Sequence, residues 1–331
     1  MSKFLIIIIC VAAVCCKHEI FAQDNIPKAD SVLMIHHLTK ITKTVGYRNY
    51  LNTEVLNQTA DYILSVFSQY ADTVWFQPYI VNGRTYKNVV CRFGRTNKPL
   101  IVVGAHYDVC GDQEGADDNA SGVTALLELA RLLKGRSLDY PIELVAYSLE
   151  EPPFFRTPYM GSYVHAKSLN ERNIPVYGMI ALEMIGFYRD EKGSQTYPLK
   201  PMKIVYGTTG DFILLAKRTG LGQFVRRFSS EFNAVCEMPA NQIKAPAKMA
   251  GIDFSDHLNY WSFDYDALMI TNTAFYRNEN YHRPTDTMET LDITKMATVI
   301  DAIFLTLLVV SKEEQTVEKK INKYTFVKFT P

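Results

Sequence analysis

The stretch LIVVGAHYDVCGDQEGADDNASG, Leu100 to Gly122, is the part of the chain whose reading decides the fold. Its opening, Leu100 to Ala105, is a short Val/Ile-rich run with the pattern of a strand buried on both faces, and it leads directly into His106-Tyr107-Asp108. A strand that carries a histidine at its carboxyl end delivers it to the crevice where α/β sheets bind ligands. Twelve positions after His106, Asp118 sits in the turn Gly115-Ala116-Asp117-Asp118-Asn119, ahead of the helically spaced Val123, Leu126, Leu127, Ala130 and Leu133. The order is strand, polar loop, helix. Imidazole nitrogen and carboxylate oxygen suit zinc, and a ligand histidine usually gives its second N–H to a carboxylate, a task for which Asp108 is placed. Taken alone, His-x-Asp after a strand is most often a hydrogen-bonded structural pair, and adjacent Asp and Asn are good helix caps.

The same event recurs down the chain. The apolar run Ile142 to Tyr147 ends in Ser148-Leu149-Glu150-Glu151, and Tyr177 to Leu182 ends in Glu183. Neighbouring carboxylates at the mouth of a sheet repel unless a cation or a shared proton sits between them. A fourth run, Ala267 to Thr271, is followed at a distance by Tyr281-His282. Two histidines and several carboxylates suffice arithmetically for a two-metal site.

The motifs HYD (106–108), GADDNASG (115–122), LEEPPFFRTPYMGS (149–162), ALEMIG (181–186), FSDH (254–257) and YHRPTDTMETLD (281–292) carry a resemblance. In order and approximate spacing, from about Asn88 to Leu291, the chain resembles the clan MH zinc aminopeptidases, co-catalytic dinuclear exopeptidases whose relatives include glutaminyl cyclases. The resemblance implies an α/β fold, a three-layer αβα domain with a mixed, mostly parallel central sheet. It implies two Zn2+ per chain, peptide substrates with a free N-terminus, and removal of the N-terminal amino acid by a water held between the ions. Carried over by position, Asp118 bridges both metals, His106 and Glu183 complete one site, and Glu151 and His282 the other. Glu150 is then the general base, Asp108 orients His106, Asp117 neighbours the bridge without ligating, and Tyr281 stabilises the developing oxyanion. Glu183 departs from the Asp of many members, so its carboxylate is shifted by one methylene.

Two rival readings compete with this one. A glutaminyl-peptide cyclase would work with one zinc, and the intact GADDNASG turn and Tyr281, where a Trp would stand, argue against it. A catalytically silent binding ectodomain would be expected to have lost ligands, and here every ligand position is filled.

Residues 1–22 have the form of a signal peptide: Lys3, a thirteen-residue apolar core from Phe4 to Cys16, and a polar end with cleavage near Ala22 or Gln23. That core is too short to span a bilayer, so the expectation is a secreted or periplasmic protein with no transmembrane segment in the mature chain. Lipoprotein anchoring is disfavoured because neither Val14 nor Cys15 is the small residue wanted before a lipidated cysteine. Residues 23–331 are expected to form a single zinc-peptidase domain, with 313–331 a charged C-terminal tail. Lys+Arg and Asp+Glu are equal at 35 each with no basic stripe, which excludes a nucleic-acid partner. Past the signal segment the chain keeps Cys91, Cys110 and Cys236, so at most one disulfide can close within it. Cys110 is taken as a small buried hydrophobe.

The remaining expectations are local. Lys28 to Thr42 and Thr53 to Tyr70 have helical spacing; Val74 to Val81 and Lys87 to Phe93 form a hairpin about Asn82-Gly83. Pro152 to Pro158 is a stiff aromatic loop, either packed surface or pocket wall. Gly161 to Leu169 is a helix with His165 at its surface. Met202 to Tyr206 is expected as a strand, Thr208 to Arg227 as a helix pair around Gly220, and Pro239 to Phe254 as a long loop over the cleft. Asp256 and His257 support the site or cap a helix without ligating. Met296, Ile300, Ile303, Leu307 and Val310 mark one face of a final helix.

Overall fold

A computed structural model describes residues 26–220 and 222–313. The expected signal peptide, and all of the expected tail past residue 313, lie outside the described residues. Helices α1 (Ser31–Thr42) and α2 (Thr53–Phe67) lead into strands β1 (Thr73–Val81) and β2 (Arg84–Phe93). The chain continues through β3 (Leu100–His106), α3 (Gly122–Leu133), β4 (Ile142–Tyr147), α4 (Gly161–Glu171), β5 (Val176–Glu183), β6 (Arg189–Lys192) and α5 (Met202–Tyr206). It closes with β7 (Thr209–Gly210), β8 (Ile213–Arg218), α6 (Gln223–Val235), β9 (Ala240–Ala245), α7 (His257–Trp261), β10 (Ala267–Thr271) and α8 (Ile293–Val310).

The helix starts follow from capping chemistry. Asp30 accepts from Val32 N and Leu33 N ahead of α1, Asn52 from Val55 N ahead of α2, and Asp292 from Lys295 N ahead of α8. The β1–β2 hairpin turns on Asn82 and Gly83, both at positive φ (50° and 76°), as a tight antiparallel turn demands.

Eight strands form one sheet in the order β1-β2-β4-β3-β5-β10-β8-β9, and β6 and β7 pair separately. The central four, β4, β3, β5 and β10, are mutually parallel, while β1, β2 and the β8–β10 contact are antiparallel. Alternation along β3 shows why this core can be buried on both sides: Ile101, Val103 and Ala105 join one apolar cluster, Leu100 and Val102 the other. The first cluster takes in α1, α2, α3, α6 and α8, the second α4 and α7. This is the three-layer αβα arrangement with a mixed sheet.

Helix α8 has a mean hydropathy of 2.0 over its 18 residues, and among the described residues it alone is long and apolar enough to cross a membrane. Here Met296, Ile300, Ile303, Leu307 and Val310 are buried, and the helix packs against α6 and α3 as part of the core.

Four local expectations are corrected. Met202–Tyr206 is a short helix with no buried residue, and nothing pairs with it as a strand partner. Residues 208–227 contain β7, β8 and only the start of α6. The Leu-Ala-Lys run of β8 favours helix locally, but pairing with β10 on one side and β9 on the other overrides that preference. Residues 240–245, expected in a loop, are the edge strand β9, whose polar sequence ANQIKA fits a strand paired on one side only. His165 is buried, with Nδ1 2.7 Å from the Tyr260 hydroxyl and Nε2 3.3 Å from Glu143 Oε2, because its face of α4 packs toward α7.

Candidate active site

The four parallel strands point their carboxyl ends into one crevice, and each end supplies a polar side chain. His106 closes β3, Glu150 and Glu151 follow β4, Glu183 closes β5, and His282 comes from the loop after β10. Asp118 enters from the turn ahead of α3 and stands between the two histidines. Its Oδ1 is 3.3 Å from His106 Nε2 and its Oδ2 is 3.2 Å from His282 Nε2. Glu183 Oε2 is 3.5 Å and Glu150 Oε2 3.9 Å from His106 Nε2, and Glu151 Oε2 is 3.1 Å from His282 Nε2. Tyr281 stacks on His282 with centroids 3.8 Å apart and lines the same cleft. His106, Asp118, Glu150, Glu151, Glu183, Tyr281 and His282, all singled out in the sequence, therefore converge.

The supporting framework is richer than the sequence suggested. Asp108 faces His106 Nδ1 through its carbonyl (3.2 Å) and its Oδ1 (3.5 Å), and its two carboxylate oxygens also accept from Glu150 N and Glu151 N. One carboxylate thus fixes both a histidine and the backbone of the glutamate pair. Asp286 does the same for the turn, accepting from Asp117 N and Asp118 N. Asp117 points away from the histidines and accepts from Gly186 N, Asn272 Nδ2 and Asn278 Nδ2. Asn119 bridges Gly122 N, Met184 N and Leu182 O, tying the turn to β5. The fully buried guanidinium of Arg48 donates to the carbonyls of Tyr107, Ile41, Glu114 and Gly115. Arg48 and Asp286 were not identified from sequence, since each acts on backbone groups distant along the chain, and Asn119, read only as a possible helix cap, does accept from Gly122 N but also ties the turn to β5.

Other expectations resolve plainly. His257 bonds the Ile252 carbonyl and is no part of the cluster; Asp256 precedes α7 but makes no capping bond. Pro152 and Phe155 line the cleft, so that loop is a pocket wall, while Phe154 packs in the core against Tyr50 and Tyr86. Arg156 pairs with Asp253 (2.7 Å), and Arg277 is buried with Nε on Gln195 Oε1. Cys91, Cys110 and Cys236 are all free thiols. Cys110 is only partly buried and sits beside Glu151 and His282, so its environment is polar.

Burial dominates the electrostatics. It pushes the Glu150 carboxyl well above its ordinary range, with Glu151 and Glu183 adding to the push against His106, and it raises Glu151 to about 7 and Asp256 to about 7. Asp118 behaves oppositely: burial would raise it, but contacts with His106 and His282 outweigh that and hold it below the usual carboxylate range. For His282 burial would lower the pKa, yet the Asp118 and Glu151 carboxylates lift it to about 10.

The donor set fits a metal by what its atoms lack. Glu151 Oε1 and His282 Nε2 are buried with no aligned hydrogen-bond partner, and the donor atoms of His106, Asp118 and Glu183 lie within 4.8 Å of one another. Bare buried acceptors grouped with imidazoles are the signature of cation ligands, and the residues fit zinc. Next to this cluster runs an apolar pocket that shares Glu183 and Phe254 with the cleft and is lined by Leu214, Ile243, Met269 and Tyr197.

Residues 88–307 match Peptidase family M28. The chain belongs to this family. M28 membership makes it a zinc-dependent hydrolase of the metallo-aminopeptidase type, consistent with the donor set. The M28 chain is 46% identical over 280 residues to the uncharacterized protein YfbL of Escherichia coli (strain K12), covering 82% of this chain and 85% of that one. It is 24% identical over 286 residues to leucine aminopeptidase 1 of Paracoccidioides brasiliensis (strain Pb03), covering 80% of this chain and 66% of that protein's length. In fold it is similar to the LapA aminopeptidase of Legionella pneumophila, with a TM-score of 0.67 at 21% identity over 86% of this chain and 73% of that chain. It is also similar to the glutaminyl cyclase of Tannerella forsythia, with a TM-score of 0.61 at 20% identity over 85% and 99% of the two chains.

Proposed function

We propose that this M28 peptidase is an exported dinuclear aminopeptidase that removes apolar residues from peptides with a free N-terminus. The observation that carries the reading is Asp118, whose two carboxylate oxygens face two different histidines at 3.3 and 3.2 Å. His106, Asp118 and Glu183 would hold one ion, and Asp118, Glu151 and His282 the other. Bound zinc would supply a Lewis acid for the scissile carbonyl and acidify the attacking water.

The chain's own residues do the rest. Glu150, close to the cluster but paired to neither histidine at short range, takes the proton of the water and hands it to the leaving amine. Asp108 fixes the His106 ring and the Glu150–Glu151 backbone at once, so base and ligands are held in a single register. Tyr281, stacked on His282 at the cleft, would donate to the oxygen that gains charge. The apolar pocket next to Glu183 supports a preference for an apolar first side chain, because it offers Leu, Ile and Met surfaces and few polar partners. Export rests on the form of residues 1–22.

Activity against aminoacyl chromogenic amides, read with metal content, tests the proposal. Glu150→Ala is expected to keep both zinc equivalents and lose about 10²–10⁴-fold in kcat, whereas Asp118→Ala loses metal as well. Full activity of Glu150→Ala would remove the assigned base. One tight zinc with turnover of N-terminal glutaminyl peptides would identify a cyclase instead.

A further inference from the structure

Cys110 has no part in the scheme above, yet it stands at the site. Its Sγ, a carboxylate oxygen of Glu151 and a ring nitrogen of His282 all lie within 4.8 Å of one another. The centre of an equilateral triangle of side 4.8 Å is about 2.8 Å from each corner. That is a few tenths of an ångström outside the roughly 2.3 Å of a zinc–sulfur bond, a gap that small side-chain rotations close. A second observation points the same way. Glu151 is only 4% exposed, and its Oε1 has no hydrogen-bond partner, while His282 Nε2 faces only the Asp118 and Glu151 carboxylates, at 3.2 and 3.1 Å. The thiol is also held in place: Val109 N bonds the Arg48 carbonyl (3.3 Å), and the Gly111 carbonyl accepts from Asn49 Nδ2 (3.0 Å), so the backbone on both sides of Cys110 is tied down.

We propose that Cys110 is a thiolate ligand of the metal held by Glu151 and His282. The inference rests on the dinuclear reading and deepens it, because it makes the two ions unlike. One has only nitrogen and oxygen donors from His106, Asp118 and Glu183. The other adds sulfur, a soft donor that favours zinc or cobalt over magnesium or manganese. On binding, the thiol loses its proton to solvent and its sulfur lone pair forms the metal bond, with no change of oxidation state.

Cobalt titration of the full protein, followed by absorption and metal analysis, tests this. Two equivalents should bind, and one should bring in a near-ultraviolet thiolate-to-cobalt charge-transfer band. The band should vanish in Cys110→Ser and persist in Cys236→Ser. Zinc affinity at that site should fall in Cys110→Ser by more than the ~10–100-fold that loss of an outer-sphere partner costs. Two bound equivalents with no band, or a band that survives in Cys110→Ser, overturns the proposal while leaving the dinuclear reading intact. One bound equivalent with no band overturns both, and one equivalent with the band overturns only the dinuclear reading. Should Cys110→Ser fail to fold, the unmodified protein suffices: zinc should slow iodoacetamide alkylation of Cys110 at least tenfold by peptide mass analysis, and equal rates with and without zinc overturn it.

Discussion

Asp118 and Arg48 show how far the site depends on single side chains that the reaction itself uses very differently. Asp118 presents one oxygen to each histidine, and no other residue type offers two equivalent acceptors at that reach. Arg48 never reaches the cleft, yet its guanidinium gathers the carbonyls of Tyr107, Glu114 and Gly115, the segments that carry Asp108, Cys110 and Asp118. Burial lowers its pKa to about 10, still above neutrality, so it remains a cation behind the carboxylate cluster. Replacing it with Met leaves these buried carbonyls without a donor. Each such loss costs about 1–3 kcal/mol, so Arg48→Met is expected to destabilise the protein by at least ~2 kcal/mol in urea unfolding. A change within ~0.5 kcal/mol would show that water replaces the guanidinium there.

At the scale of elements, legibility followed how local the signal was. Strands β3, β4, β5 and β10 are largely apolar runs of five to eight residues buried on both faces, and each could be read directly because, Glu143 in β4 apart, no charged residue interrupts them before their carboxyl ends. Their polar ends gave the candidate site, since a charged residue directly after such a run has nowhere to go but the sheet's mouth. Helix α8 was equally plain from Met296 to Val310, and its start from Asp292. Strands β8 and β9 were missed because their residues have no β-branched or aromatic enrichment, and only the pairing of β8 with β10 and of β9 with β8 makes them strands. His165 was misplaced since a polar helix gives no sign that one face meets Tyr260 and Glu143. The framework of Arg48 and Asp286, and the tie of Asn119 to β5, was invisible for a related reason: all bind backbone groups distant along the chain, and such partners leave no trace in sequence spacing. Asp108 was found but only half understood, its hold on Glu150 N and Glu151 N appearing only in three dimensions.

For the whole molecule, the site couples metal, protons and stability. Without a cation, Glu151 (about 7) and His282 (about 10) both hold protons through much of the neutral range. Zinc must displace them. Each raised pKa therefore means that protons compete with zinc at lower pH, and removing them favours binding, so apparent affinity should increase from pH ~6 to ~9. Calorimetric titration in two buffers of different ionisation enthalpy should show net proton release near pH ~7; zinc uptake with no proton release would contradict these assignments. The same binding should stabilise the fold, by about 2.7 kcal/mol at a free zinc concentration 100 times the Kd.

The central claim is that one carboxylate joins two metal sites, and anomalous diffraction at the zinc edge from crystals of the zinc-loaded protein addresses it most directly. Two peaks about 3.5–4 Å apart are expected, both in contact with Asp118, one beside His106 and Glu183 and the other beside Glu151 and His282. A single peak, or two peaks of which one leaves Asp118 untouched, would contradict the account.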